Sequence, residues 1–200
     1  MKKILAILLA ALMASAALVS CGTKGNDNGS APGVSSGAST EKESTATAEE
    51  VFDAINKAFD EKYNEGGAIL NFPESIDAEV LKEKFGITAE MAESFKGEIA
   101  GVMTNCDMLV VVKAKDGKIE DVKAALEAAK ADQAQQFEFY PVMGNDVRIE
   151  DSKVVTNGNY AALLMVGVLT DDNEDDPDFT EDVQMAEDAF NAAIEAGKGN

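Results

Sequence analysis

The stretch Asp107-Met108-Leu109-Val110-Val111-Val112 decides the fold of this chain. Its apolar positions are continuous and end in β-branched valines, which favours an extended strand. Because these positions do not alternate with polar ones, we expect both faces of the strand to be buried in the middle of a sheet. Asp116-Gly117 then turns the chain out of the strand. The other elements therefore have to pack around it.

A hairpin is predicted further along the chain. Lys153 to Thr156 and the apolar run from Ala161 to Val166 lie on either side of Asn157-Gly158, two residues that tolerate positive φ. We expect the second arm to lie beside the Met108 strand. Apolar residues alternate over part of Phe95 to Met103, which predicts another, more exposed strand whose glycines indicate a bulge or close packing.

Helices are predicted before, between and after these strands. A capping box of Thr47 and Glu50 starts the first helix, which ends at Gly66-Gly67. Asp77 caps a short second helix that Gly86 stops. Apolar faces indicate a long third helix and a last helix. Gln133 is the one polar residue on the apolar face of the third helix. The apolar residues on those faces are Ile119, Val122, Leu126, Ala129, Phe137 and Tyr140 before Pro141, and Val183, Ala186, Phe190 and Ile194.

Together these elements predict an α+β fold. Helices are expected on one face of a small, mainly antiparallel sheet, in a single domain over residues 48–197. About 150 residues are enough for one small core. The fold is expected to be preceded by a signal peptide and a disordered tether.

The N-terminus has the order of a secretory signal. Lys2 and Lys3 precede an apolar run from Ile4 to about Val19. The run is short for a single membrane anchor, since spanning a bilayer takes about 20 apolar residues. It closes on Leu18-Val19-Ser20-Cys21, which resembles the lipobox of bacterial lipoproteins. A cysteine after a small-residue cleavage site can also arise by chance in any secretory signal.

The lipobox resemblance implies that residues 1–20 are removed as a signal peptide and that Cys21 carries a diacylglycerol. Residues 22–47 are mostly small and polar, as in a flexible linker, so residues 21–47 are predicted to be a lipidated tether. The expected location is the extracytoplasmic face of the cell membrane, with the lipid anchor making the membrane contact.

The charge of the chain limits its partners. Its 37 acidic and 17 basic residues give a formal net charge of −20. An acidic surface repels phosphate, so nucleic acid is not expected as a partner. Attraction to anionic lipid headgroups is disfavoured for the same reason. Solubility is the plain interpretation of this charge.

The composition also excludes classes of chemistry. The chain contains no histidine, so a Ser-His-Asp triad or a Cys-His pair cannot be built from it. Lipidation of Cys21 would leave Cys106 without a disulfide partner and without the companions that a zinc site needs. Cys106 is either a small buried hydrophobe or a reactive thiol. We predict no catalytic residue, no metal ligand and no cofactor.

The acidic segment from Asp171 to Asp178 is the one candidate for calcium. Asp171, Asn173 and Asp175 match the first ligands of an EF-hand loop, but Asp176 stands where the turn glycine belongs. The twelfth position is Asp182 and not a glutamate. A solvated, charged helix-entry loop is the plain alternative.

From Phe72 to Val168 the order of features resembles a family of uncharacterised Gram-positive lipoproteins that share an extracytoplasmic domain of unknown function. The landmarks are the Asp77 to Gly86 helix, the Cys106 to Lys115 strand, Asp116-Gly117-Lys118, Phe139-Tyr140-Pro141 and Asn157-Gly158-Asn159-Tyr160. The resemblance implies a lipidated surface protein. It supplies no catalytic residues.

Three functions follow as hypotheses. The first is a non-catalytic binding or accessory module for an unknown protein or small-molecule ligand. The second is a hydrolase of cell-wall or other glycans that works through two carboxylates, since such cleavage needs no histidine. The third is a calcium-responsive surface protein that binds the ion in the Asp171 to Asp178 segment.

Overall fold

The computed structural model describes residues 42–199. The predicted signal peptide, Cys21 and most of the predicted linker lie outside the described residues. The described elements are α1 (Ala48–Tyr63), β1 (Pro73–Ser75), α2 (Ala78–Phe85), β2 (Ala92–Ala100), β3 (Met108–Ala114), α3 (Ile119–Phe137), a 3-10 turn (Val142–Gly144), α4 (Asn145–Asp151), β4 (Lys153–Asn157), β5 (Tyr160–Met165) and α5 (Thr180–Gly197). No helix among them combines the length and the apolar character that crossing a membrane requires.

The strands form one antiparallel sheet in the order β1-β2-β3-β5-β4. The apolar run Met108–Val112 lies at the centre as β3, and Leu109 pairs with Leu164 of β5. The α+β class, the central strand and its neighbour are therefore confirmed. The sheet is antiparallel throughout the described residues, and short loops join β2 to β3 and β4 to β5, as antiparallel neighbours allow.

The helices cover both faces of the sheet, so the prediction of a single covered face is wrong. Leu109 and Val111 pack with α1 and α5, whereas Met108, Val110 and Val112 pack with α2 and α3. Alternate residues of a strand point to opposite faces. Every residue of the run is apolar, so each face needs its own layer of helices to exclude water.

Capping residues set the starts of α1 and α2 as predicted, but the ends of two helices differ from the prediction. Thr47 and Glu50 form both bonds of the capping box. The helix stops at Tyr63 because Asn64 adopts the left-handed conformation, which asparagine tolerates better than most residues. α3 stops at Phe137, and Tyr140 lies outside it with 43% exposure. Pro141 disfavours helical backbone at the residue before it.

The predicted hairpin is present, with its loop shifted by one residue. Asn157 pairs with Tyr160, so the two loop residues are Gly158 and Asn159. Gly158 has a φ of 57°, and a glycine as first loop residue suits a hairpin turn. Gly97, the glycine of β2, marks close packing, since a Cβ there would lie 2.7 Å from the Ile76 side chain. The bulge of this strand lies elsewhere, between Ala92 and Ser94.

The domain begins earlier than the predicted linker ends. Ser44 and Ala46 are buried, and the backbone oxygen of each accepts a hydrogen bond from the Tyr160 hydroxyl. The backbone N–H of Thr45 donates to the carbonyl oxygen of Gly197 at 3.2 Å. The last residues before α1 are thus fixed against the C-terminal end of α5.

Candidate functional site

A cleft of about 750 Å³ lies at one end of the sheet, on the face that α2 and α3 cover. Glu74 of β1 and the loop from Ala100 to Asn105 form one wall. The last turns of α2 and α3 and the segment after α3 form the other, through residues that include Lys84 and Gln133. We call this space the amide cleft. Its volume is within the range of roughly 300–1,000 Å³ found for small-molecule sites.

Two buried amide side chains give the cleft its name. Asn105 is 4% exposed, and its Oδ1 accepts a hydrogen bond of 2.7 Å from the backbone N–H of Asp107. Its Nδ2 is near the Asp107 carboxylate but makes no well-formed hydrogen bond. Gln133 is 5% exposed and donates and accepts no hydrogen bond within residues 42–199. The Gln133 amide lines the cleft without a protein partner among the described residues, so it could gain by bonding a ligand, whereas Asn105 Nδ2 lies in the interior beside Asp107.

Two opposite charges line the same cleft without pairing. Lys84 is half-buried, and burial alone lowers the pKa of its ammonium. The Lys84 ammonium forms no ion pair with a carboxylate within residues 42–199. Glu74 forms no ion pair with any described lysine or arginine. Among the described lining residues, Glu74 is also the only acidic one.

The rim of the cleft exposes large apolar side chains. Met103 is 95% exposed, Phe139 is 87% exposed and Tyr140 is 43% exposed. These residues come from both walls. Apolar side chains gathered on a surface are typical of binding sites, whereas single ones need no explanation. The cleft therefore combines an apolar mouth with a polar interior.

A single side chain, Asn145 of α4, holds the two walls together. Its Nδ2 donates to the carbonyl oxygen of Thr104 at 2.9 Å and, more weakly, to that of Tyr140 at 3.5 Å. Its Oδ1 accepts from the backbone N–H of Cys106 at 3.1 Å. Asn145 is fully buried. This arrangement fixes the β2–β3 loop relative to the segment after α3, so the cleft is formed before any ligand arrives.

A buried ion pair lies beneath this wall. Arg148 Nε is 2.7 Å from Asp107 Oδ1, and both side chains are at least 97% buried. The guanidinium also donates to the carbonyl oxygens of Met143 and Gly167 and stacks over the Phe179 ring at 4.2 Å. Burial raises the pKa of Asp107 to about 6, although Arg148 acts in the opposite direction. The pair ties β3, α4 and the segment before α5 together.

Cys106 is a core residue. It is completely buried next to β3, and burial raises the pKa of its thiol to about 12. The thiol is therefore neutral at physiological pH, where only a thiolate would be a strong nucleophile. This position agrees with the small buried hydrophobe and not with the reactive thiol.

The acidic segment does not present the expected calcium ligands. Asn173 Oδ1 accepts hydrogen bonds from the backbone N–H and the hydroxyl of Thr170. Asp178 Oδ1 accepts from the backbone N–H of Thr180 at the start of α5. Nowhere within residues 42–199 do three acidic or cysteine side chains converge as a metal site requires. The segment thus has the form of a helix-entry loop.

Sequence reasoning found only part of this site. It singled out Gln133 as the polar residue on the apolar side of α3, which was a usable signal. Lys84 and Asn105 look like ordinary surface residues in the sequence. Cys21, the one predicted site residue, lies outside the described part of the chain.

Comparison with known proteins supports the domain and not a reaction. Residues 70–166 match the model of a domain of unknown function, DUF4358. No curated protein and no solved structure matches the chain. A domain of unknown function is thereby confirmed over nearly the range expected from Phe72 to Val168, while the lipoprotein family and the lipid on Cys21 stay predictions. The residues named above as lining the amide cleft, from Glu74 to Tyr140, all fall within the matched segment.

Proposed function

We propose that this chain is a lipid-anchored, extracytoplasmic binding module whose ligand occupies the amide cleft. The observation that carries the proposal is the pair of buried amides, Asn105 and Gln133, inside an apolar-rimmed cleft. Polar groups converging in a preformed apolar pocket are the usual mark of a ligand site. Asn145 supplies the preformed geometry.

A binding role without catalysis fits the side chains of the cleft. Glycosidic cleavage uses two carboxylates placed about 5–9 Å apart, and Glu74 is the only acid among the described lining residues. With no histidine in the chain, the common general base is missing as well. We therefore favour the non-catalytic module over the glycan hydrolase. No contact favours a calcium-responsive protein.

The proposed location is the extracytoplasmic face of the cell membrane, where a diacylglycerol on Cys21 would anchor the protein. Cys21→Ala should move the protein from the detergent phase to the aqueous phase of a detergent partition. Cys106→Ala is the matched control, because it removes the other cysteine and should leave the partition unchanged. Unchanged partition of Cys21→Ala, or wild-type protein without added lipid mass, would refute the anchor.

The binding role is tested with the full chain and a set of ligands of different charge. The set holds an amino acid, a free tripeptide, a neutral disaccharide, a dicarboxylate and a diamine. At least one should raise the melting temperature of the wild type, since a ligand that binds only the folded state stabilises it. Gln133→Leu should abolish the shift, whereas Gln135→Leu, on the exposed side of α3, should keep it. If no ligand gives a shift that depends on Gln133, the cleft is not a binding site.

A further inference from the structure

We propose that the ligand of the amide cleft is a short zwitterionic peptide, with its carboxylate at Lys84 and its ammonium at Glu74. This inference rests on the proposed function, because it names the ligand class of the same cleft. It is carried by three features that occur together. These are two unpaired opposite charges, the unpaired amide of Gln133, and an apolar rim.

The two charges exclude most simpler ligands. A neutral ligand that filled the cleft would take Lys84 and Glu74 further out of water without pairing either of them, which is costly. A simple anion would pair Lys84 and be repelled by Glu74, in a chain whose net charge is −20. A simple cation would meet the reverse conflict at Lys84. A zwitterion is the ligand that compensates both groups.

The end of α3 adds a negative field to the cleft. The last turn of this helix lines the cleft and carries no basic residue. The final carbonyl groups of a helix carry about half a negative charge in sum, which favours a cation close by. This field adds to that of Glu74 and disfavours a second carboxylate. The last turn of α2, by contrast, carries Lys84, whose positive charge offsets the partial negative charge of the final carbonyl groups of that helix.

The Gln133 amide and the rim favour a peptide over a single amino acid. This amide lines the cleft and can both donate and accept. A peptide backbone offers an N–H and a carbonyl oxygen at each residue. The exposed side chains of Met103, Phe139 and Tyr140 can cover an apolar side chain of the peptide. A volume of about 750 Å³ suits a few residues and not a folded partner.

The test is isothermal titration of the full chain with the tripeptide Ala-Leu-Ala. Four forms are compared, with free ends, N-acetylated, C-amidated, and blocked at both ends. For the wild type, each single block should weaken binding by about tenfold, because one charge-assisted hydrogen bond in the cleft is lost. The doubly blocked peptide should bind too weakly to detect.

Charge-neutral variants assign each end of the peptide. In Lys84→Gln, amidation should cost almost nothing more, whereas acetylation should still weaken binding about tenfold. Glu74→Gln should show the reverse. Lys82→Gln and Glu79→Gln are the matched controls, since both residues are exposed on α2 and neither lines the cleft. They should bind all four peptides as the wild type does.

The results separate this inference from the proposed function. If Ala-Leu-Ala does not bind, or if the blocked form binds equally well, the zwitterionic ligand is wrong. Equal loss of affinity in the Lys82→Gln control would overturn it too. If another member of the ligand set still gives a shift that depends on Gln133, the binding function survives. If none does, both proposals fail.

Discussion

Arg148 shows how much one side chain can hold in place. It pairs with Asp107, donates to two carbonyl oxygens and covers the Phe179 ring, all in the interior. Arg148→Met leaves the buried Asp107 without its counter-charge, so we expect the free energy of unfolding to fall by about 3–5 kcal/mol. Urea denaturation measures the loss. Lys57→Met, which breaks an exposed pair with Glu61, should cost at most about 1 kcal/mol.

The same pair predicts a dependence on pH. Because burial raises the pKa of Asp107 to about 6, the folded chain holds this proton at pH values where the unfolded chain, with a pKa of about 3.9, has released it. The stability contributed by Asp107 is therefore full below about pH 4 and declines up to about pH 6. Removing Arg148 raises the pKa further. Arg148→Met should therefore lose more stability near pH 7 than near pH 4.5, and equal losses would contradict this assignment.

One feature of the sequence indicates that Arg148 is buried, although the residues around it look like an exposed surface. Arg148 is the only arginine of the chain, and arginine is preferred over lysine for buried ion pairs. Its neighbours Asp146 and Glu150 give the segment the appearance of a solvated surface. The partner, Asp107, is distant in sequence, and no local pattern joins the two. Asn105 escapes notice for the same reason, since its burial depends on how the β2–β3 loop packs.

At the scale of the elements, the starts of α1 and α2 can be predicted from the sequence, because the capping side chains that cause them are local. The Asp77 carboxylate accepts hydrogen bonds of 2.9 Å from the backbone N–H groups of Glu79 and Val80. Asp77→Ala should lower the free energy of unfolding by about 1 kcal/mol, as the loss of such a cap does. Thermal or urea denaturation tests this. Glu83→Ala, at an exposed site of the same helix, should change stability by less than about 0.5 kcal/mol.

The elements that sequence reasoning missed depend on distant partners. β1 has three exposed residues and exists because Glu74 pairs with Ile99 of β2. α4 has seven residues, and its two buried members are the polar Asn145 and Arg148, so it shows no apolar periodicity. Both elements build the cleft or support its walls. The fold class could thus be predicted from the sequence, whereas the shape of the site could not.

At the scale of the whole molecule, two helical layers enclose the sheet. The cause lies in β3 and β5, whose described residues are buried at nearly every position. A strand of this kind cannot leave one face to solvent, because a whole row of apolar side chains would then contact water. The prediction that helices cover a single face of the sheet is therefore inconsistent with the apolar run that begins at Met108. The apolar residues form two separate cores, one on each face of the sheet, so each face can be tested separately.

Leu109 and Leu163 provide that test, because each is completely buried on a different face. Leu109→Ala opens a cavity against α1 and α5, and Leu163→Ala opens one against α2 and α3. We expect each to lower the free energy of unfolding by about 2–5 kcal/mol in urea denaturation, whereas Thr156→Ala on the exposed side of β4 should cost far less. If only one layer of helices stabilised the sheet, one leucine variant would behave like Thr156→Ala. Comparable losses at both leucines would show that the layer forming the amide cleft is as integral to the fold as the layer formed by α1 and α5.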